Sequence, residues 1–275
     1  MLTELQLEVF KLLRKPRTYI GPVAMCLLTV LMLVGMKYGH EFNYMRDRLE
    51  RDFYVAGSFV NAAFLTRFLL EGIAYTFLPL FACMVCGDLV ASEAADGTLR
   101  TLLCRPITRL GILVSKYIVG IIYVLALTFG TGLAAYLVGA AVLGRGSLVV
   151  LSGGIWILPE HAAVLRLAAA YALVAAGMIA VGSIAFAVST FLNNSNGAIA
   201  GAMGFLYGSA IIGEIEYFTK LKPYLMTTQL DIWRRFFTDR LDASGFVQSV
   251  GVMLIYSAAA LLIGTVIFQR RDILS

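Results

Sequence analysis

Charge is what this chain has least of. Only 14% of its 275 residues are Asp, Glu, Lys or Arg, while 60% are hydrophobic. No water-soluble core needs that much apolar surface, so a soluble globular protein is excluded and a polytopic membrane protein is indicated. Histidine is scarcer still: His40 and His161 fall in separate loops with no metal-ligand spacing, and no metal site is expected. The four cysteines supply a single C-x-x-C, Cys83 to Cys86, with Cys26 and Cys104 in other segments. Its apolar setting, near the end of a hydrophobic run, argues against a membrane thiol oxidoreductase built on that pair. There is no G-x-x-x-x-G-K-[ST], so the chain has no phosphate-binding loop of its own, and no cofactor is expected on it. Basic residues form no patch interleaved with aromatics, which excludes nucleic acid as a partner. No constellation of catalytic residues, repeat or low-complexity segment is present.

What is abundant is uncharged length. Runs at Ile20 to Met36, Gly72 to Gly87, Tyr117 to Gly144, Leu167 to Leu192, Gly197 to Gly213 and Ala243 to Gln269 approach or exceed the roughly 20 residues that cross a bilayer. They predict six transmembrane helices in one transmembrane domain over 1–275, the fourth and fifth separated by Asn193-Asn194-Ser195-Asn196, whose side chains favour a tight turn. The first run is long for a signal sequence and lacks a cleavage site, so it is read as a retained helix. Six spans put both termini on one side. The basic residues beside the spans, Arg14, Lys15, Arg17, Arg270 and Arg271, and the higher basic density of the shorter segments make that side cytoplasmic, in a cell inner membrane. The net charge of +5 adds an affinity for anionic headgroups.

Before the first span, residues 1–18 form an amphipathic interface helix: Leu2, Leu5, Val9 and Leu12 share one side, and Glu4, Glu8, Lys11 and Lys15 lie mostly opposite. Surface anchoring and partner contact both fit it. Between the second and third runs, residues 91–110 are a charged island. Asp96-Gly97 is a turn pair, Thr98 caps a short helix over Leu99 to Cys104, Pro106 stops it, and Thr108 caps the next span.

This island resembles the E-x-x-x-G-T-L-x-x-L-L-x-x-P-x-[ST]-R pattern of ABC type-2 permeases, carried here by Glu93, Gly97, Thr98, Leu99, Leu102, Leu103, Pro106 and Arg109, with Lys116 following. The entry helix, the six spans and the ending Phe268-Gln-Arg-Arg-Asp-Ile are similar as well. The resemblance implies a cytoplasmic coupling helix in which Glu93, Asp96, Gly97, Thr98, Leu99, Arg100, Leu102 and Leu103 contact a separate ATP-binding subunit. It implies two such subunits, holding ATP and Mg, and a second permease chain, as a homodimer within membrane lipid. ATP-driven closure would then switch the cavity of an exporter from inward- to outward-facing.

Several features keep two readings each. Gly197, Gly201, Gly204 and Gly208 lie on one face of the fifth span, as a dimer seam or pathway lining, or as a packing face within the chain. Asp88 and Glu71 are ion or proton sites, or partners of interface Lys and Arg. The aromatic external interfacial segment 214–242 is an exit gate by the resemblance, or an interfacial cap. The ATPase could equally drive a membrane scaffold acting on an extracytoplasmic partner.

Overall fold

In the computed structural model, residues 2–39, 60–97, 108–151, 155–238 and 243–270 are described. The protein is an all-α polytopic membrane protein. Six helices are long and apolar enough to span: α2 (Pro16–Tyr38), α4 (Phe77–Ala95), α5 (Arg109–Val142), α6 (Glu160–Phe191), α7 (Ser195–Glu214) and α9 (Ala243–Arg270). Shorter pieces complete it: α1 (Leu2–Arg14), α3 (Ala62–Ile73), α8 (Met226–Leu230) and an antiparallel pair, β1 (Leu148–Leu151) and β2 (Ile155–Leu158), with Leu148 opposite Leu158.

α6 is the centre of the bundle. Of its most apolar window 72% is buried, against 28% for α2 and for α9, and it packs on α9, α4, α5 and α7. The 20 residues of α7 rise about 30 Å, one hydrocarbon thickness, whereas α5 and α6 are longer and extend past it. α1 and the C-terminal part of α9 share one end of the bundle, where Arg109 reaches the Gln269 carbonyl at 3.3 Å. That is called the terminal end below.

Local chemistry explains the boundaries. The Thr108 hydroxyl accepts from Gly111 N–H at 3.2 Å, capping α5 as its sequence suggests. The Asn194 side chain accepts from Asn196 N–H at 3.0 Å, so the polar tetrad ends α6 and starts α7. Gly97 has φ +68°, a left-handed conformation that closes α4 and that a β-carbon would strain.

Two features were not legible in the hydropathy. The second apolar run is preceded by a separate helix, α3, broken from α4 at residues 74–76. Pro79, lacking an N–H and crowding the backbone one turn earlier, accounts for the break. The β pair, with Leu148 and Val150 buried, lies in the stretch between the third and fourth spans. It is stitched to α3 through Asn61, whose Nδ2 donates to the Ser147 carbonyl at 2.7 Å and whose Oδ1 caps Phe64 N–H at 3.0 Å.

The segment between α7 and α9 folds back into the bundle at the opposite end. Met226, Thr227, Gln229, Leu230, Trp233 and Phe237 are buried, and Leu230 fills the space over Gly177, roughly 20 Å along α6 from Phe191. Arg166 secures it, donating to the Phe236 and Thr238 carbonyls at 3.0 Å each. Tyr217 and Tyr224 remain exposed.

Candidate functional site

The polar chemistry of the terminal end is concentrated where α1 crosses α4 and α5. Lys116 stands two turns into α5 with its side chain only 2% exposed. An isolated ammonium at that depth would be untenable. Its Nζ lies 2.8 Å from Glu8 Oε2 and 2.8 Å from Glu93 Oε1. Lys11 closes the figure, 2.8 Å from Glu8 Oε1 and 3.0 Å from Glu93 Oε1. Two lysines and two glutamates therefore form a closed, net-neutral ring linking α1, α4 and α5. The cavity they line together with Lys15, Arg17 and Asp88 is about 20 Å³, scarcely more than one water needs.

Asp88 builds a second node on the same side of α4. Its Oδ2 meets Lys15 Nζ at 2.9 Å, and its Oδ1 meets Arg17 at 2.9 Å and accepts from the Ser195 hydroxyl at 2.6 Å. Lys15 also donates to Ser92, one turn on, at 2.8 Å. This node joins the α1–α2 junction to α4 and to the first turn of α7. Of the two readings of Asp88, pairing with interface cations is the one realised. Glu71 likewise meets Arg234 at 3.7 Å, with both side chains largely exposed.

Electrostatics ranks the members. Lys15 and Arg17 are 38% and 50% exposed, so solvent screens them and each pair contributes modestly. Lys116 and Glu8, at 2% and 8%, are the pair whose loss would strand a buried charge. For Lys11, outside the spans, burial disfavours the charge, but the Glu8 and Glu93 carboxylates outweigh it and lift its pKa above the ordinary value of 10.5.

α1 turns its expected apolar side to the bundle: Leu12 is buried and Leu5 and Val9 pack against the core, while Leu7, Phe10 and Leu13 are half exposed. Glu8, expected on the polar side, is nevertheless buried beside Leu12. The physical reason is the countercharge: Lys116 offers Glu8 a better partner than water does, so that one carboxylate is drawn in. The sequence held a usable signal. Lys116 and Glu93 lie at matching depths on neighbouring spans, and unlike charges at one depth seek each other.

Of the expected coupling residues, Glu93 belongs to this ring, and Asp96 and Gly97 form the turn that follows α4. Thr98, Leu99, Arg100, Leu102 and Leu103 lie outside the described residues. On α7, Ala198, Ala202, Leu206, Ser209 and Gly213 are the buried residues. Gly197 and Gly201 lie against Leu192 and Val188 of the same chain, at 3.1 and 3.2 Å from where a Cβ would stand, whereas Gly204 and Gly208 meet nothing within 4 Å. The glycine row is thus divided between internal packing and open surface. Cys83 and Cys86 are buried among apolar side chains, a setting that withholds the solvent a reactive thiolate needs. Among the described residues, no three of His, Cys, Asp and Glu are grouped to hold a metal ion.

Together these define a class: a multi-pass helical membrane protein whose N-terminal amphipathic helix is locked by buried ion pairs to the ends of two spans. The chain belongs to the family described as "Protein of unknown function (DUF2705)", whose model matches residues 23–274. α1, with Glu8, Lys11 and Lys15, precedes that match, while Asp88, Glu93 and Lys116 lie inside it. A relative, "Uncharacterized protein YhcI" of Bacillus subtilis (strain 168), is 25% identical over 221 residues, covering 75% of this chain and 68% of that protein.

Proposed function

We propose that this chain is the membrane-spanning permease subunit of an ABC exporter, working as a dimer in the inner membrane with both termini cytoplasmic. In this reading two separate ATP-binding subunits carry ATP and Mg, and the segment from Glu93 to Arg109 transmits their closure to the spans. The observation that carries the reading is the island between α4 and α5 with its resemblance to the permease coupling pattern. The ion-pair ring supports it mechanically. A segment that transmits force must be rooted in stiff elements, and the helices on either side of 98–107 are clamped to each other and to α1 through Glu93, Lys116 and Glu8. Lipid contact around α2 and α9, both weakly buried within the chain, fits the same picture.

The test is purification from the native membrane in mild detergent. An ATP-hydrolysing subunit should accompany the chain, and Leu99→Asp should abolish transport-stimulated ATP hydrolysis while the protein still inserts, because residue 99 lies in no span. Gly97→Pro should do the same by breaking the left-handed turn at φ +68°. A chain that purifies without any such subunit, or a Leu99→Asp complex that transports normally, refutes the assignment.

A further inference from the structure

Between α5 and α6, in the half of the bundle away from the termini, lies a groove of about 390 Å³. Phe129 and Leu133 wall it on α5, and Val164 and Leu167 on α6. It exists because Gly130 and Ala168 leave room: a Cβ on Gly130 would meet nothing within 4 Å. Tyr171 floors it, its ring pressed against Gly132 and its hydroxyl turned inward to the Thr66 carbonyl at 3.2 Å, so the floor presents carbon. From Phe129 to Tyr136 the groove runs about 10 Å.

Its depth is set by Lys116. A hydrocarbon thickness of about 30 Å measured along α5 from that residue ends near Tyr136. The groove therefore lies within the far leaflet, continuous with the lipid-facing surface formed by Phe129, Leu133 and Leu137, which are 43%, 61% and 55% exposed. Its mouth lies at headgroup level and changes character. Tyr136 donates to Glu160 Oε1 at 3.4 Å, and the exposed Arg145 is close enough to act electrostatically on the same hydroxyl. The Glu160 carboxylate and the Tyr136 ring stand together at the rim, and Arg145 follows three residues past the end of α5 at that same end.

We propose that this groove is a phospholipid site, with one acyl chain along the α5–α6 furrow and a zwitterionic headgroup at the rim. Arg145 takes the phosphate through its fork of N–H donors, and Glu160 takes the headgroup ammonium beside the face of Tyr136. A rim carrying both signs prefers phosphatidylethanolamine over phosphatidylglycerol, which has no ammonium for Glu160. The inference holds whether or not the chain partners an ATPase.

The full chain in nanodiscs of phosphatidylethanolamine, doped with the same lipid bearing a diazirine in mid-chain, provides the test. On illumination, adducts should concentrate on Phe129 to Tyr136 and Val164 to Tyr171. Gly130→Leu and Ala168→Leu, which fill the furrow from positions with space, should each lower labelling there by roughly tenfold or more while labelling around Leu262 on α9 is unchanged. Unlabelled phosphatidylethanolamine should compete better than phosphatidylglycerol; Glu160→Gln should remove that preference, whereas Arg145→Ala should weaken competition by both lipids. Adducts spread evenly around the bundle, labelling untouched by both filling variants, equal competition by the two lipids, or chain-to-chain crosslinks at these segments in place of lipid would each overturn it.

Discussion

Replacing Lys116 with methionine keeps an unbranched side chain only one atom shorter and removes the ammonium with its charge and N–H donors. Glu8 and Glu93, 8% and 12% exposed, would then share the single ammonium of Lys11, itself 41% exposed and screened. Breaking a buried pair by deleting one partner costs about 3–5 kcal/mol, because the remaining charge is stranded. Here the cheapest escape is local. α1 can swing out and return Glu8 to water, so the cost should appear as undocking of α1 rather than as collapse of the bundle. At about 1.4 kcal/mol per factor of ten, the docking equilibrium should move by roughly two to three and a half orders of magnitude. A spin label at the exposed position Gln6 reads this directly, its spectrum sharpening in Lys116→Met as α1 gains mobility. Adding Glu8→Gln to Lys116→Met removes the stranded charge and should restore much of the immobilisation, a non-additivity of about 0.5–3 kcal/mol. If Lys116→Met left the label as immobile as in the parent, or if the second substitution simply added to the first, the ring would not be what holds α1.

At the other end of the bundle, Gly177→Leu should drive Leu230 out of its seat, at a cost of about 1–3 kcal/mol in thermal unfolding. Gly204→Leu, with open space beside it, should change the stability of the isolated chain by no more than about 0.5 kcal/mol, and loss of dimer in that variant alone would identify the open part of the glycine row as the seam. Lys11 should resist amine acylation relative to the exposed Lys220 until the pH passes 10.5. Its pKa is raised, so its contribution to docking is fully present below 10.5 and is lost as pH rises through the higher folded value. Equal acylation of the two lysines at pH 9 would show that Lys11 is not held by the ring.

The spans were legible because hydrocarbon imposes a length and forbids unpaired charge, and all six appear in the structure with their ends moved by up to eight residues. Thr108 and Asn194 marked helix starts for the same local reason anywhere in a protein: a short oxygen beside free N–H groups. The break at 74–76 was hidden because apolar side chains continue across it and only Pro79 betrays it. The burial of the 226–237 segment was hidden because Thr227 and Gln229 look external until their partners, Ser209 and the Pro223 carbonyl, are in place. The burial of Glu8 was hidden for a related reason. A helical wheel sorts residues by polarity, and it cannot register that Glu8 has a lysine waiting for it 108 positions later.

The interruption between α3 and α4 has a mechanical meaning. α3 is fastened to the far cap, through Glu71 to Arg234 and through Arg67 lying 5.1 Å from the Phe237 ring. α4 is fastened to the ionic ring by Glu93 and to the node of Lys15, Arg17 and Ser195 by Asp88. The second passage through the membrane is therefore anchored at its two ends to different parts of the molecule, with residues 74–76 between the two helices. Tyr75, whose hydroxyl holds the Thr227 carbonyl at 2.8 Å, sits in that interruption. A tilt of α4 delivered from the ring would reach the cap as a rotation about that tyrosine, with the bend confined to a place where the helical hydrogen bonding is already interrupted.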